Sequence, residues 1–182
     1  MEIETIVLVE GVSDQRAVQA LARRRGRDLA AEGVSVVAIG GAQAIGGRLA
    51  ALARDVRLAG LCDVGEERHF RRGLERSGLG SDLDRAEMER LGFFVCEADL
   101  EDELIRSLGT DAVERVVEAQ GELSSFRTLQ KQAAWHGRPT DAQLRRFMGS
   151  GARRKIRYAE LLVDELDPDR VPRPLDLLLA YV

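Results

Sequence analysis

The stretch "TIVLVEGVSDQRAVQAL", residues 5–21, decides how the rest of the chain is read. Ile6 to Val9 is apolar without alternation, the pattern of a strand covered on both faces. Glu10 closes that run, Gly11 follows, and Asp14 comes one helical turn later. An unpaired carboxylate at the end of a buried strand is costly to desolvate, so Glu10 needs a partner. Ser13 is placed to cap a helix running to about Arg25, with Val18 and Leu21 on its inner face and Gly26 as its stop.

Outward from this unit the pattern repeats. "VSVVAI" (Val34 to Ile39) is a second short strand, followed by "GGAQAIGG" and a helix expected over about Arg48 to Asp55. "LAGLCD" (Leu58 to Asp63) is a third strand, and "GFFVCEAD" (Gly92 to Asp99) contains a fourth. Strands alternating with helices predict an α/β fold with a mainly parallel sheet and helices on both faces. After residue 100 the strand signal stops. "LEDELIRSL", "AVERVVEA", "FRTLQKQAAW", "DAQLRRFM" and "RKIRYAELLVDEL" all read as helices. The expected division is an α/β domain at 1–108 and a helical extension at 109–182 with a basic face, packed on that domain. Its tail holds Pro168, Pro172 and Pro174 and reads as an extended strap ending in one helical turn.

With 182 residues, 45% hydrophobic and 32% charged, the chain has the composition of a globular protein rather than a disordered one. No window approaches a membrane span and no signal peptide opens the chain, so a cytoplasmic location is expected. Cys62 and Cys96 each end an apolar run and read as buried free thiols. The net charge of −4 conceals an asymmetry: between Arg127 and Arg157 nine basic residues face Asp141 alone. That segment could meet a polyanion, or it could be a solvated helical surface in an arginine-rich chain.

Three strand ends carry acids: Glu10 with Asp14, Asp63 with Glu66 and Glu67, and Glu97 with Asp99 and Glu101. In parallel sheets the carboxyl ends of the strands form the functional crevice. Clustered carboxylates repel one another unless a cation lies among them, and oxygen ligands favour Mg²⁺, Mn²⁺ or Ca²⁺. With only His69 and His136 and no Cys-x-x-Cys pair, zinc is not expected. Individually, Asp14 could serve the helix dipole, Glu66 and Glu67 could be first-turn acids, and Asp99 could cap the next helix.

Taken together, these motifs resemble the topoisomerase–primase (TOPRIM) fold. "LVEGVSDQRAVQAL", "VVAIGGAQ", "LAGLCDVGEE" and "CEADLEDEL" resemble, in order, the TOPRIM nuclease domain of the overcoming-lysogenization-defect (OLD) family. The chain as a whole is similar to short actinobacterial proteins described as TOPRIM nucleotidyl transferase/hydrolase domain proteins. The resemblance implies that Glu10, Asp14 and Asp63 hold a divalent ion, with Glu67 and Glu101 as further acids. It also implies that Lys155 in "GARRKIRYAELLVDEL" stabilises charge on a phosphate. The family's Asp-x-Asp is here Asp63-Val64-Gly65, which leaves one metal position short of a ligand unless Glu66 or Glu67 reaches in.

Two further features bear on phosphate. "GGAQAIGG" could present Gly40 and Gly41 amides to an anion, or simply make a tight turn; it lacks the Gly-Lys-Ser/Thr of a Walker loop. Lys155 is one of two lysines, and an ammonium can approach phosphate as a point charge where a guanidinium does not fit. Arg153, Arg154 and Arg157 beside it suit sequence-independent backbone contacts, whereas Trp135 and Phe126 read as core before stacking platforms. The expected function is divalent-metal-dependent phosphodiester hydrolysis or nucleotidyl transfer on DNA, with Glu10 as metal ligand or general base and Lys155 as the catalytic cation. One or two Mg²⁺ or Mn²⁺ ions would serve, with Ca²⁺ a non-productive substitute. The rivals are a degenerate TOPRIM that binds nucleic acid or a partner without cutting, and a small Mg²⁺-dependent phosphohydrolase. No membrane partner is expected; a separately encoded ATPase and a homodimer are compatible with the sequence.

Overall fold

A computed structural model describes residues 4–52 and 56–182. Four strands, β1 (Thr5–Val9), β2 (Val34–Ala38), β3 (Arg57–Asp63) and β4 (Phe93–Cys96), form one parallel sheet in the order β2-β1-β3-β4. The unbroken apolar run of β1 has the predicted cause. Val7 and Val9 face one core while Ile6 and Leu8 face the other, because successive side chains alternate across a strand.

On the Ile6 and Leu8 side lie α2 (Ile45–Ala51), α3 (Glu67–Arg76) and α4 (Arg85–Arg90), which contribute Ile45, Leu49, Phe70, Leu74 and Met88. The Val7 and Val9 side is covered by α1 (Val12–Arg24) and by the helices after β4. These are α5 (Leu100–Leu108), α6 (Thr110–Ala119), α7 (Leu123–Gln130), α8 (Thr140–Met148), α9 (Ala152–Asp164) and α10 (Arg173–Tyr181). Helices thus cover both faces, as the sequence predicts. Phe126 is fully buried, edge-on to Phe147, and Trp135 packs against the same core, so both aromatics are structural. Among the described residues no helix is long and apolar enough to cross a membrane.

Four local expectations are corrected. Gly11, not Ser13, is the N-cap of α1, and the Asp14 carboxylate accepts the Gly11 N–H at 2.8 Å. A 3-10 turn over Ala42–Ala44 leads directly into α2, so that helix starts three residues before Arg48; its expected end at Asp55 lies outside the described residues. The helix expected over "FRTLQKQAAW" starts earlier, at Leu123, and stops at Gln130. The tail is no strap: after a 3-10 turn at Pro168–Arg170, α10 runs nine residues and buries Leu175, Leu178 and Leu179. Its prolines sit at the N-cap and first turn, where no intrahelical N–H is required.

Helix α9 matters most for the site. Tyr158, Ala159, Leu162 and Val163 form its buried stripe. Arg24 of α1 donates to the Val163 carbonyl at 2.6 Å, and Arg23 pairs with Glu160 at 2.5 Å. Lys155 lies one turn before Tyr158 and Ala159 on that stripe, so it projects where the helix runs out over the sheet's carboxyl end.

Candidate active site

The chain leaves β1 toward β2 on one side, and β3 lies on the other. The gap between β1 and β3 is therefore the switch point of the sheet, where such folds bind ligands. Glu10 and Asp63 stand on either side of that gap. Glu10 Oε1 accepts the Asp63 backbone N–H at 2.8 Å, so the two acids that the sequence pairs do meet. Asp14 is held beside them by its bond to Gly11.

The third contribution comes from α5. Asp99 caps this helix, accepting the Asp102 N–H at 2.8 Å, and it also pairs with Arg145 of α8 at 2.6 Å. The capping alternative for Asp99 is thus correct, and the arginine adds a tie to the helical layer. Glu101, in the first turn of α5, is 4% exposed and lies 3.1 Å from the Lys155 ammonium through Oε2. Its other oxygen, Oε1, is buried without a hydrogen-bond partner. A buried carboxylate oxygen left unpaired is expensive, and a cation or a proton is what would relieve it.

Electrostatics supports the same conclusion. Burial raises the Asp63 pKa to about 8, with Glu10, Asp14 and Asp99 adding to it and Lys155 opposing. Burial likewise raises Glu101 to about 7, against the pull of Lys155 and with a further push from Asp99 and Asp14. Glu10 and Asp14 are raised too, chiefly by desolvation, although each accepts a backbone N–H that favours its charged form. Burial works against the charged form of Lys155, yet Glu101, Asp14 and Asp63 outweigh it and raise its pKa. One ammonium therefore serves an acid group that is short of positive charge.

Not every predicted residue joins this group. Glu67 is turned to Arg85, 2.5 Å away, and it is Glu66 whose charge acts on Glu10. Gly40 and Gly41 donate their N–H groups to the Glu10 carbonyl at 3.1 and 3.0 Å, so those amides are engaged by the chain itself. Their φ of +79° and +109° suits glycine and makes the tight-turn alternative the observed one. Arg154 and Arg157 lean away from Lys155 toward Glu122 of the α7 N-cap, whereas Arg153 is exposed. Sequence reasoning missed Arg145 and Glu122, whose partners lie 46 and 32–36 residues away with no local pattern to reveal them. A larger cavity of about 690 Å³, lined by Arg23, Arg27, Leu29 and Val36 among others, lies at the opposite end of the sheet and touches none of these acids.

The donor set fits a hard divalent cation: oxygen ligands on rigid strand and helix ends, mutually repelling, with one buried oxygen orphaned. Among the described residues no three acidic, histidine or cysteine side chains already form a chelating group.

A parallel sheet with acids at its switch point is common to many α/β folds, and the comparisons say which one this is. The C-terminal region of the Xanthomonas campestris pv. campestris OLD protein superposes with a TM-score of 0.71 at 21% identity, covering 98% of this chain and 93% of that one. The C-terminal region of the Burkholderia pseudomallei OLD protein gives 0.71 at 18% identity, covering 100% and 97%. Residues 3–59 match the family described as overcoming lysogenization defect protein-like, TOPRIM domain. No curated protein matches the chain. The first third of the chain thus resembles the OLD-like TOPRIM family, as its motifs suggest, and the chain as a whole shares the fold of the OLD C-terminal regions.

Proposed function

We propose that the protein hydrolyses or transfers phosphodiester bonds of DNA in a reaction that needs Mg²⁺ or Mn²⁺. The observation that carries this reading is the meeting of Glu10 and Asp63 at the switch point, beside Asp14 and the half-orphaned Glu101. The OLD-like TOPRIM match supports a nuclease-type family. Glu10, Asp14 and Asp63 would hold the ion, with Glu101 within the same field and Glu66 better placed than Glu67 to assist. Bound there, the ion would supply a water of lowered pKa and neutralise the phosphate oxygens. Lys155, kept charged by its acidic neighbours, would sit against the phosphate while Glu101 fixes its position. Glu10 Oε1 is occupied by the Asp63 N–H, which orients the carboxylate and leaves Oε2 to face ligand or water.

The test is supercoiled plasmid incubated with the protein and Mn²⁺, with EDTA and Glu10→Ala as controls. Nicking should require the ion and vanish in the variant; equal nicking by both proteins would rule the reading out. A second reading, a TOPRIM that binds nucleic acid without cutting, draws on the absence of a ready chelating triad among the described residues. It expects metal-independent DNA binding and no turnover under any divalent ion.

Gly65 offers a separate probe. A Cβ there would meet nothing within 4 Å, and the residue does not need positive φ. Gly65→Asp should therefore fold normally and supply another carboxylate after Asp63. Mn²⁺ affinity measured by calorimetry without DNA is expected to tighten by about tenfold, roughly 1.4 kcal/mol. Unchanged affinity would show that the turn after β3 points away from the ion.

A further inference from the structure

The basic start of α9 closes on a carboxylate from another element, Glu122 at the N-cap of α7. Glu122 accepts from Arg154 at 2.9 Å (Nη2) and 3.3 Å (Nε) through one oxygen. Its other oxygen accepts from Arg157 and, at 2.8 Å, from the Tyr158 hydroxyl. Two guanidinium groups and a hydroxyl converging on one oxyanion are the donor set that recognises phosphate. The donors are braced from behind: Arg154 lies 4.3 Å over the Phe147 ring and Arg157 lies 5.3 Å over that of Tyr158. A cavity of about 570 Å³ opens onto the group, lined by Glu122, Gly151, Ala152, Arg153, Arg154 and Arg157. Arg153 forms no ion pair among the described residues.

We propose that this cradle is a binding site for a backbone phosphate of nucleic acid, and that Glu122 occupies it as a built-in surrogate that weakens the grip. The proposal rests on the reading that the protein acts on DNA. The carboxylate keeps both arginines extended and ordered, so little conformational entropy is lost when phosphate arrives. It also takes up one of the three positive charges and repels the incoming anion. A phosphate must therefore share or displace it, which keeps contact with DNA beyond the reaction centre weak and exchangeable. Lys155 and the cradle lie on neighbouring faces of the same helix, so one strand could contact both.

The experiment is fluorescence anisotropy with a labelled double-stranded DNA oligonucleotide in EDTA, over a series of salt concentrations. Glu122→Gln keeps the acceptor for Tyr158 and removes the charge. It should tighten binding about fivefold at low salt and steepen the log K against log [salt] slope by about 0.9, one additional phosphate. Glu32→Gln removes the same charge at the far end of the sheet, from a residue paired with Arg27, and should leave the slope unchanged. In the double variant Glu122→Gln, Arg157→Gln the gain should be lost; persistence of the gain would overturn the proposal. If the wild type binds and a folded Glu122→Gln binds no more tightly, the surrogate is refuted while the DNA reading stands. If Glu122→Gln does not fold, Arg157→Gln decides alone: weakened DNA binding with a shallower slope supports the cradle, and unchanged binding overturns it. If no variant binds DNA in EDTA at any salt, the cradle proposal is overturned, while the Mn²⁺-dependent nicking assay decides the DNA reading separately.

Discussion

Asp63→Asn is expected to yield a protein that is more stable than the wild type at pH 8 without metal, and at least 100-fold less active with it. Folding raises the Asp63 pKa from its ordinary value near 4 to about 8, mostly by burial and then by Glu10, Asp14 and Asp99. The folded state thus binds a proton more tightly than the unfolded chain. The stabilisation from that proton is complete below about pH 4 and is lost as pH rises toward 8. Glu101, raised to about 7, adds a smaller slope of the same sign. In EDTA the wild type should therefore lose on the order of 2–3 kcal/mol between pH 5 and 8, Asp63 being partly solvated. Asparagine removes the charge that causes the loss, so most of the slope should disappear from urea melts. Added Mn²⁺ should stabilise the wild type more at pH 8 than at pH 5, because cation and proton compete for the same carboxylates, and should do little for the variant. The same substitution removes an anionic ligand, hence the loss of nicking. A flat pH profile in the wild type would mean that Asp63 is solvated and the acids do not share one pocket.

Stability given up at the acids is what makes the site readable, and it explains which parts of it the sequence discloses. Glu10 and Asp63 are legible because each ends an apolar run, and two parallel strands bring such ends together whatever the intervening chain does. Lys155 is legible as one of two lysines in an arginine-rich chain and by its resemblance to the family's basic residue. Glu66 and Glu67 are not separable by pattern: adjacent first-turn residues point about 100° apart, and only Arg85, 18 residues away, takes Glu67 aside. Glycine at 40 and 41 is compatible with both a phosphate loop and a turn, and the choice depends on where the amides point, here at the Glu10 carbonyl. Asp99–Arg145 and the Glu122 cradle join elements distant along the chain, and ion pairs of that kind leave no local signal. The tail shows the opposite case. Its signal is local but ambiguous, since a proline at the start of α10 opens a helix as readily as it interrupts one.

Gly60→Ala is expected to damage the frame of the site through a single methyl group. Gly60 pairs with Leu8 of β1 on one side and Phe93 of β4 on the other. A Cβ there would lie 2.6 and 2.7 Å from two Phe93 ring carbons and 2.9 Å from the Leu8 carbonyl oxygen. Its φ is not positive, so the obstacle is steric alone. Phe93 is 1% exposed and packs edge-on to Phe70 at 6.3 Å, which leaves the ring no solvent to swing into. The Leu8 oxygen belongs to the sheet and moves only if β1 and β3 separate. Overpacking of this kind costs about 2–3 kcal/mol and should lower Tm by roughly 5–10 °C in a chain of this size. Because Leu8 and Gly60 lie two and three residues before Glu10 and Asp63, widening the ladder would also stretch the bond between those acids, so metal affinity should fall along with Tm. Gly46→Ala in α2 is the matching control: its Cβ meets nothing within 4 Å, and alanine should be neutral or stabilising by about 0.5–1 kcal/mol. If Gly60→Ala melts with the control, Phe93 does not lie over β3 as described, and the strand register that brings Glu10 to Asp63 is wrong.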